Sequence, residues 1–304
     1  MKLRRNHKRS NFGGLSITRI ILFIVVLGVL LYMTYQGLNS VVVQEKSVQN
    51  GYELILNDSG DGVNDRYLPV GQGEVIHHDY YSLSYLEEHE QAEWVAYHLT
   101  AEMLRAKNVK RHNRFMKDEQ VSTGSAGYYD YKGSGYTRGH LVPAGDMAHN
   151  KESMYQTFYM SNISPQLRVF NNGIWKELEE QTRDWVYHND ELYIVSGPIF
   201  ASSPGQNISS KNITVPDAFY KVILDNEGKS RKAIAFVIPH KRSEDRLQDY
   251  AVTIDSVESL TGIDFFRNLE YDPLINRLEG DFDLEEWDFS EARYKLRIER
   301  WNNE

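Results

Sequence analysis

Cysteine is absent from the 304-residue chain. That excludes disulfides, thiolate metal sites, a cysteine nucleophile and lipid attachment through a thiol. It also suits life outside the cytosol without oxidative folding. Acidic residues are absent from the first 37 positions, where Lys2, Arg4, Arg5, Lys8, Arg9 and Arg19 give +6. The whole chain carries −9, which leaves −15 for the rest. A polyanion-binding protein is usually basic, so the bulk charge argues against one. No charged residue occurs between Arg19 and Glu45. There is no internal repeat and no second linker. The Asp58, Asp61 and Asp65 cluster lacks an EF-hand glutamate at the right spacing, so it reads as loop.

What is present bounds the fold. Hydrophobic residues make up 41%, enough for a packed core and too many for a disordered chain. The charge is uneven. Residues 101–140 hold eight Lys/Arg against four Asp/Glu, whereas residues 241–304 hold seventeen acids against nine bases. A basic patch on an acidic body suits an enzyme that has to leave its substrate quickly; a solvated helix of mixed charge is the plainer reading.

The run Ile20–Met33 is uninterrupted apolar sequence. With Leu15–Ile17, Thr34 and Tyr35, and with Arg19 snorkelling, it reaches membrane-spanning length. No Ala-x-Ala cleavage site follows it. The expected organisation is a basic cytoplasmic tail (1–15), an uncleaved single-pass transmembrane anchor (16–37), a polar linker (38–75) and a domain of residues 76–304. The basic flank stays inside, which places that domain outside the cytoplasm, in a bacterial periplasm or at the cell exterior.

Within the domain, residues 80–85 alternate as a strand, and the spacing of Trp94, Val95, Leu99 and Leu104 predicts a helix over 93–107. Residues 110–117 form a basic, partly extended segment, and 124–135 a Gly/Ser-rich loop with three tyrosines. A helix is expected over 171–187, with Ile174, Leu178, Trp185 and Val186 facing the core. Strands are expected at 192–196, 219–224 and 233–238, the last two joined by the turn Asp225-Asn226-Glu227-Gly228. Short helices near 254–260 and 285–297 close the chain. Short strands among separate helices indicate an α+β fold.

Two clusters are suited to chemistry. Arg138 and His140 lie two apart, so an extended segment points both the same way. A guanidinium beside an imidazole lowers its pKa and keeps it neutral, as a general base requires. Arg138 offers a planar donor fork for phosphate, and Gly139 permits close backbone approach. A lone histidine is nonetheless more often structural. Asn162 and Asn171 are neutral oxygen donors. A helix from Asn171 puts Asn171, Trp175, Leu178 and Glu179 broadly on one side, with Arg183 one turn on. A hard cation can take one amide oxygen, substrate phosphate and waters, with Glu179 holding those waters. The plainer alternative is a helix cap at Asn171 and a surface ion pair of Glu179 with Arg183. His77, His78, His149, His188 and His240 have no partners at ligand spacing and read as surface or structural.

Taken together, three ordered motifs resemble the DNA/RNA non-specific endonucleases of the ββα-metal type, a group that includes secreted bacterial nucleases and mitochondrial endonuclease G. The motifs are Gly133-Ser134-Gly135-Tyr136-Thr137-Arg138-Gly139-His140-Leu141, Ser161-Asn162-Ile163-Ser164-Pro165-Gln166 and Phe170-Asn171-Asn172-Gly173-Ile174-Trp175-Lys176-Glu177-Leu178-Glu179. Similarity covers about residues 75–270. It implies the ββα-metal nuclease fold, a central antiparallel sheet flanked by helices. It implies that His140 is the general base and Asn171 the protein ligand of one Mg²⁺, with Mn²⁺ as alternative. Arg138 would contact phosphate, Asn162 would support the site, Glu179 would hold metal waters and Arg183 would sit at the active-site arginine. DNA and RNA are the implied substrates, cut to 5′-phosphate and 3′-hydroxyl ends, and a homodimer is expected because dimers are common in the family. Thr137 stands where the family has Asp, which implies reduced activity at worst. Arg111 and Arg114 are both candidates for an upstream phosphate arginine. The rivals are a domain of this fold that binds nucleic acid without cutting, and a phosphodiesterase for small diesters.

Overall fold

The computed structural model describes residues 63–200, 205–227, 231–269 and 271–304. The expected tail and anchor lie outside them; among the described residues no helix is long and apolar enough to cross a membrane. In chain order the main elements are β1 (Glu74–His77), β2 (Ser82–Leu86), β3 (Gln91–Thr100), α1 (Ala101–Arg105), β4 (Thr137–His140), α2 (Lys151–Gln156), β5 (Ile163–Gln166), α3 (Lys176–Asn189) and β6 (Glu191–Ile199). There follow β7 (Asn207–Ile208), β8 (Ile213–Thr214), β9 (Ala218–Asp225), β10 (Lys232–Pro239), β11 (Ala251–Val252), α4 (Ile254–Thr261), α5 (Pro273–Gly280) and α6 (Glu291–Glu299).

Seven strands form one antiparallel sheet in the order β1-β2-β3-β6-β9-β10-β11. Both faces are covered, and side chains alternate between two cores. Val95, Tyr97 and Leu99 of β3 join Phe219 and Ile223 of β9 beneath α3, which contributes Leu178, Trp185 and Val186. Trp94 and Ala96 of β3 and Tyr220, Val222 and Leu224 of β9 face the opposite way, onto Ile254 and Val257 of α4 and Ile275 of α5. This is an α+β fold with a central antiparallel sheet and flanking helices.

The helix expected over 93–107 is instead strand β3 followed by the short α1, capped where Thr100 Oγ1 accepts from Met103 N at 3.1 Å. A central strand buried on both faces shows no polar alternation, so its apolar run mimics helical spacing. The domain also begins earlier than residue 76. Tyr67 and Leu68 are buried in the second core, and Val70 pairs with Asp264. The polar composition of this stretch hid those few anchoring contacts.

The acidic C-terminal segment is part of the fold. Arg297 is fully buried; its guanidinium pairs with Glu177 of α3 and donates to the carbonyls of Ser243 and Asp245. Trp287 packs edge-on against Trp185 with ring centres 5.0 Å apart. These contacts hold the back of α3 and so fix the face it presents in front.

Candidate active site

A second, two-stranded sheet carries the first cluster. In it β4 pairs antiparallel with β5, with Thr137 opposite Gln166 and His140 opposite Ile163. A Cβ on Gly139 would lie 2.1 Å from the Gln166 side chain, so the two strands approach this closely where residue 139 carries no side chain. Asn162 is fully buried. Its Oδ1 accepts from Val142 N at 2.8 Å, while Nδ2 donates to the carbonyls of Val142 (3.1 Å) and Thr157 (2.9 Å). It braces the turn after His140 and does not line the pocket, because its polar atoms are engaged by backbone.

The second cluster enters through a helical turn, Arg168–Phe170, and a π-turn, Asn171–Trp175, before α3. Gly173 breaks helical geometry within that turn (φ −95°, ψ −112°), and a Cβ there would sit 2.6 Å from Asn302 Oδ1. The π-turn swings Asn171 toward β4. Its Nδ2 donates to Thr137 Oγ1 at 2.9 Å, and Thr137 Oγ1 donates to the carbonyl of Gln166 at 2.8 Å. The residue that departs from the family pattern thus orients the Asn171 amide. Trp175 and Leu178, expected beside Asn171, are fully buried in the core instead; Asn172, Lys176, Glu179, Glu180 and Arg183 share the front face of the helix.

The two clusters meet in an open pocket of about 360 Å³, lined among others by Arg111, Arg138, His140, Asn171, Glu179 and Arg183. Arg114 is exposed and takes no part in that lining. The Arg138 guanidinium lies 4.1 Å over the Tyr128 ring and donates to its carbonyl at 3.4 Å. His140 is 8% exposed and packs edge-on against Phe158 with centres 4.8 Å apart. Burial, and then the Arg111 charge, push its pKa down to about 3. The expectation of a neutral imidazole holds in direction, but the cation responsible is Arg111, not Arg138. His140 Nε2 makes no hydrogen bond to protein.

Behind the pocket lies a charge cluster that sequence reading missed. Arg183 Nη1 donates to Asp146 Oδ1 at 2.5 Å and pairs with Glu180 at 3.0 Å; Asp146 Oδ2 accepts from Tyr97 Oη at 2.8 Å. Burial raises the Glu179 carboxyl above its ordinary range, although Arg183 and Lys221 pull it down. Lys221 is fully buried, its ammonium lowered by burial, with Nζ donating to Ser196 Oγ at 2.6 Å. A lone cation inside the apolar strand Phe219–Leu224 was the available signal. Nothing local marks Asp146, Lys176 or Glu180. The histidines expected to be structural include two that are: His78 Nε2 lies 2.9 Å from Asp118, and His240 Nε2 accepts from Leu167 N at 2.7 Å.

The donor set fits a hard cation. Asn171 offers an amide oxygen beside the Glu179 carboxylate, and no thiol exists. Among the described residues no group of three His, Cys, Asp or Glu is placed to hold a metal. An ion here would therefore depend on water and substrate oxygen for its remaining ligands.

Residues 59–272 match the family model for DNA/RNA non-specific endonucleases. The chain is 34% identical over 216 residues to Nuclease C1 of Cunninghamella echinulata var. echinulata, covering 66% of this chain and 86% of that protein. It is 30% identical to human mitochondrial Endonuclease G (67% and 73% covered), and 31% identical to Xenopus laevis mitochondrial Nuclease EXOG, of which it spans 63%. A solved EndoG/EndoGI complex matches with a TM-score of 0.59 at 31% identity, over 65% of this chain and 87% of that one. With the motifs, the pocket between the two-stranded sheet and α3, and a family match spanning more than two thirds of its length, the chain belongs to the DNA/RNA non-specific endonuclease family.

Proposed function

We propose that this chain is a divalent-metal-dependent endonuclease that hydrolyses phosphodiester bonds of DNA and RNA, with His140 as general base. One observation carries this reading: a buried imidazole, held neutral, lines the same pocket as an oriented amide oxygen, a carboxylate and three guanidinium groups. Arg111 and Arg138 bind and orient the scissile phosphate. His140 takes a proton from a water, which attacks phosphorus in line with the 3′ oxygen. Asn171 Oδ1 would hold Mg²⁺, or Mn²⁺, directly and Glu179 would hold it through waters. Bound there, the cation supplies charge neutralisation at the departing 3′ oxygen. The Arg183 charge favours the ionised form of Glu179 against the burial that opposes it. The products are 5′-phosphate and 3′-hydroxyl ends.

Membrane anchoring through 16–37, with the domain outside the cytoplasm, rests on the apolar run and its basic flank. Membrane fractionation with protease accessibility tests it; a chain found wholly in the cytosol would sink it.

The direct test is cleavage of supercoiled plasmid and single-stranded RNA by the 304-residue chain, with Mg²⁺, with EDTA and as His140→Ala. The expected result is metal-dependent cutting that falls roughly 10²–10⁴-fold in the variant. A folded wild-type protein that cuts neither polymer between pH 6 and 9 with several divalent ions overturns the proposal.

A further inference from the structure

Beside the catalytic pocket lies a second cleft of about 450 Å³, between residues 109–112 and helix α2. Val109 and Met154 give it an apolar floor, and His112 and Tyr155 supply rings whose centres are 5.1 Å apart. Lys110, Arg111 and Lys151 supply cations; the one acid, Glu152, accepts from Gln156 Nε2 at 3.3 Å. Two features join this cleft to the active site. Arg111 lines both cavities. Phe158, fully buried, packs against His140 on one side and against His112 on the other, with the Arg111 guanidinium 5.3 Å over its ring.

We propose that this cleft takes the unpaired nucleobase next to the scissile phosphate. The inference rests on the nuclease reading and extends it to a substrate class. A phosphate held by Arg111 in the catalytic pocket places the neighbouring base at the mouth of the cleft, because one residue borders both. The occupant has to be flat, largely apolar and attached to an anion. A base on a phosphate backbone meets these requirements, and the rim cations match its charge. The base must also be unpaired, since ring and floor contacts replace the stacking and pairing it has in a duplex. Among the described residues Arg111 donates through Nε to Asn113 Oδ1 at 3.2 Å, and it lines the cleft with Lys110 and Lys151, where their charge faces a backbone bound there.

The test is binding, kept separate from cutting. Fluorescence anisotropy in EDTA measures the affinity of the 304-residue chain for oligothymidylate and for an abasic deoxyribose-phosphate oligomer of the same length. Free thymidine monophosphate as competitor separates a polymer base from a free nucleotide. Wild type should prefer oligothymidylate. Tyr155→Ala should weaken that binding about tenfold, within the range of one base–aromatic contact, and leave abasic binding unchanged. Tyr155→Phe should behave as wild type, and His112→Ala should repeat the loss from the opposite wall. Equal affinity of Tyr155→Ala and wild type for oligothymidylate, or an equal loss on the abasic oligomer, overturns the assignment. So does displacement by the mononucleotide as effective as by the polymer. If base-dependent binding is seen and neither nucleic acid is cut with metal present, the cleft stands and the nuclease reading falls; cutting without a Tyr155 effect gives the reverse.

Discussion

At the scale of single residues, the pocket works through burial. His140 differs from an ordinary histidine because Phe158 and Phe115 exclude water from it and Arg111 opposes its protonation. Its folded-state pKa is depressed to about 3, from an ordinary value of 6.5. The unfolded chain therefore takes the proton first, and the stability tied to this group is lost as pH falls from about 6.5 toward 3. Between pH 5 and 8 its ring should not titrate in an NMR experiment, and Arg111→Gln should move its midpoint upward. A wild-type midpoint near 6.5 would refute this account of His140. Thr137 shows a different economy. Its hydroxyl accepts from Asn171 Nδ2 and donates to the carbonyl of Gln166, which is how a neutral residue orients the Asn171 amide.

At the scale of elements, helix α3, which lines the candidate pocket, is held from behind. The Glu177–Arg297 pair is buried, and Arg293 of α6 also bonds Asp184 at 2.6 Å and Glu180 at 3.0 Å. Glu180 lines the candidate pocket, so the C-terminal helix reaches it indirectly. Arg297→Met leaves a carboxylate buried without its partner, at a cost of about 3–5 kcal/mol. Thermal denaturation should show a lowered Tm, and adding Glu177→Leu should recover much of it. A single variant as stable as wild type would mean that the pair is not what seats α6. Some elements could be read from local pattern: α3 from its apolar face, β9 and β10 from their apolar runs and intervening turn. Strand β3 could not, because burial on both sides removes the alternation that distinguishes a strand.

At the scale of the molecule, the charge on the chain is −9, yet the pocket lining holds Arg111, Arg138, Lys176 and Arg183 against Glu179 and Glu180. Of the acids within 101–140, Asp118 is buried against His78 and Asp130 accepts from Gly127 N, which leaves the basic residues there in excess. Affinity for a polymer should therefore depend steeply on salt. The logarithm of KM for DNA should rise linearly with the logarithm of salt concentration, and Lys110→Gln should lower that slope by about one. A small diester, with one phosphate, should show almost no such slope. Salt-independent cutting of DNA would show that the basic side does not contact the backbone.

The sequence by itself determined the extended segment that carries Arg138 and His140 and the helix that carries Glu179 and Arg183. Those features are local: the two-residue alternation of a strand and a helical repeat that keeps one face polar. Tertiary structure alone put Arg111 and not Arg114 in the pocket lining, gave Asn162 its backbone partners, and brought Asp146 and Lys221 near Glu179. The reason is physical. Backbone periodicity orders neighbours along the chain, whereas contacts between segments tens of residues apart depend on how the sheet and helices pack, and only that packing sets which charges share a low-dielectric space.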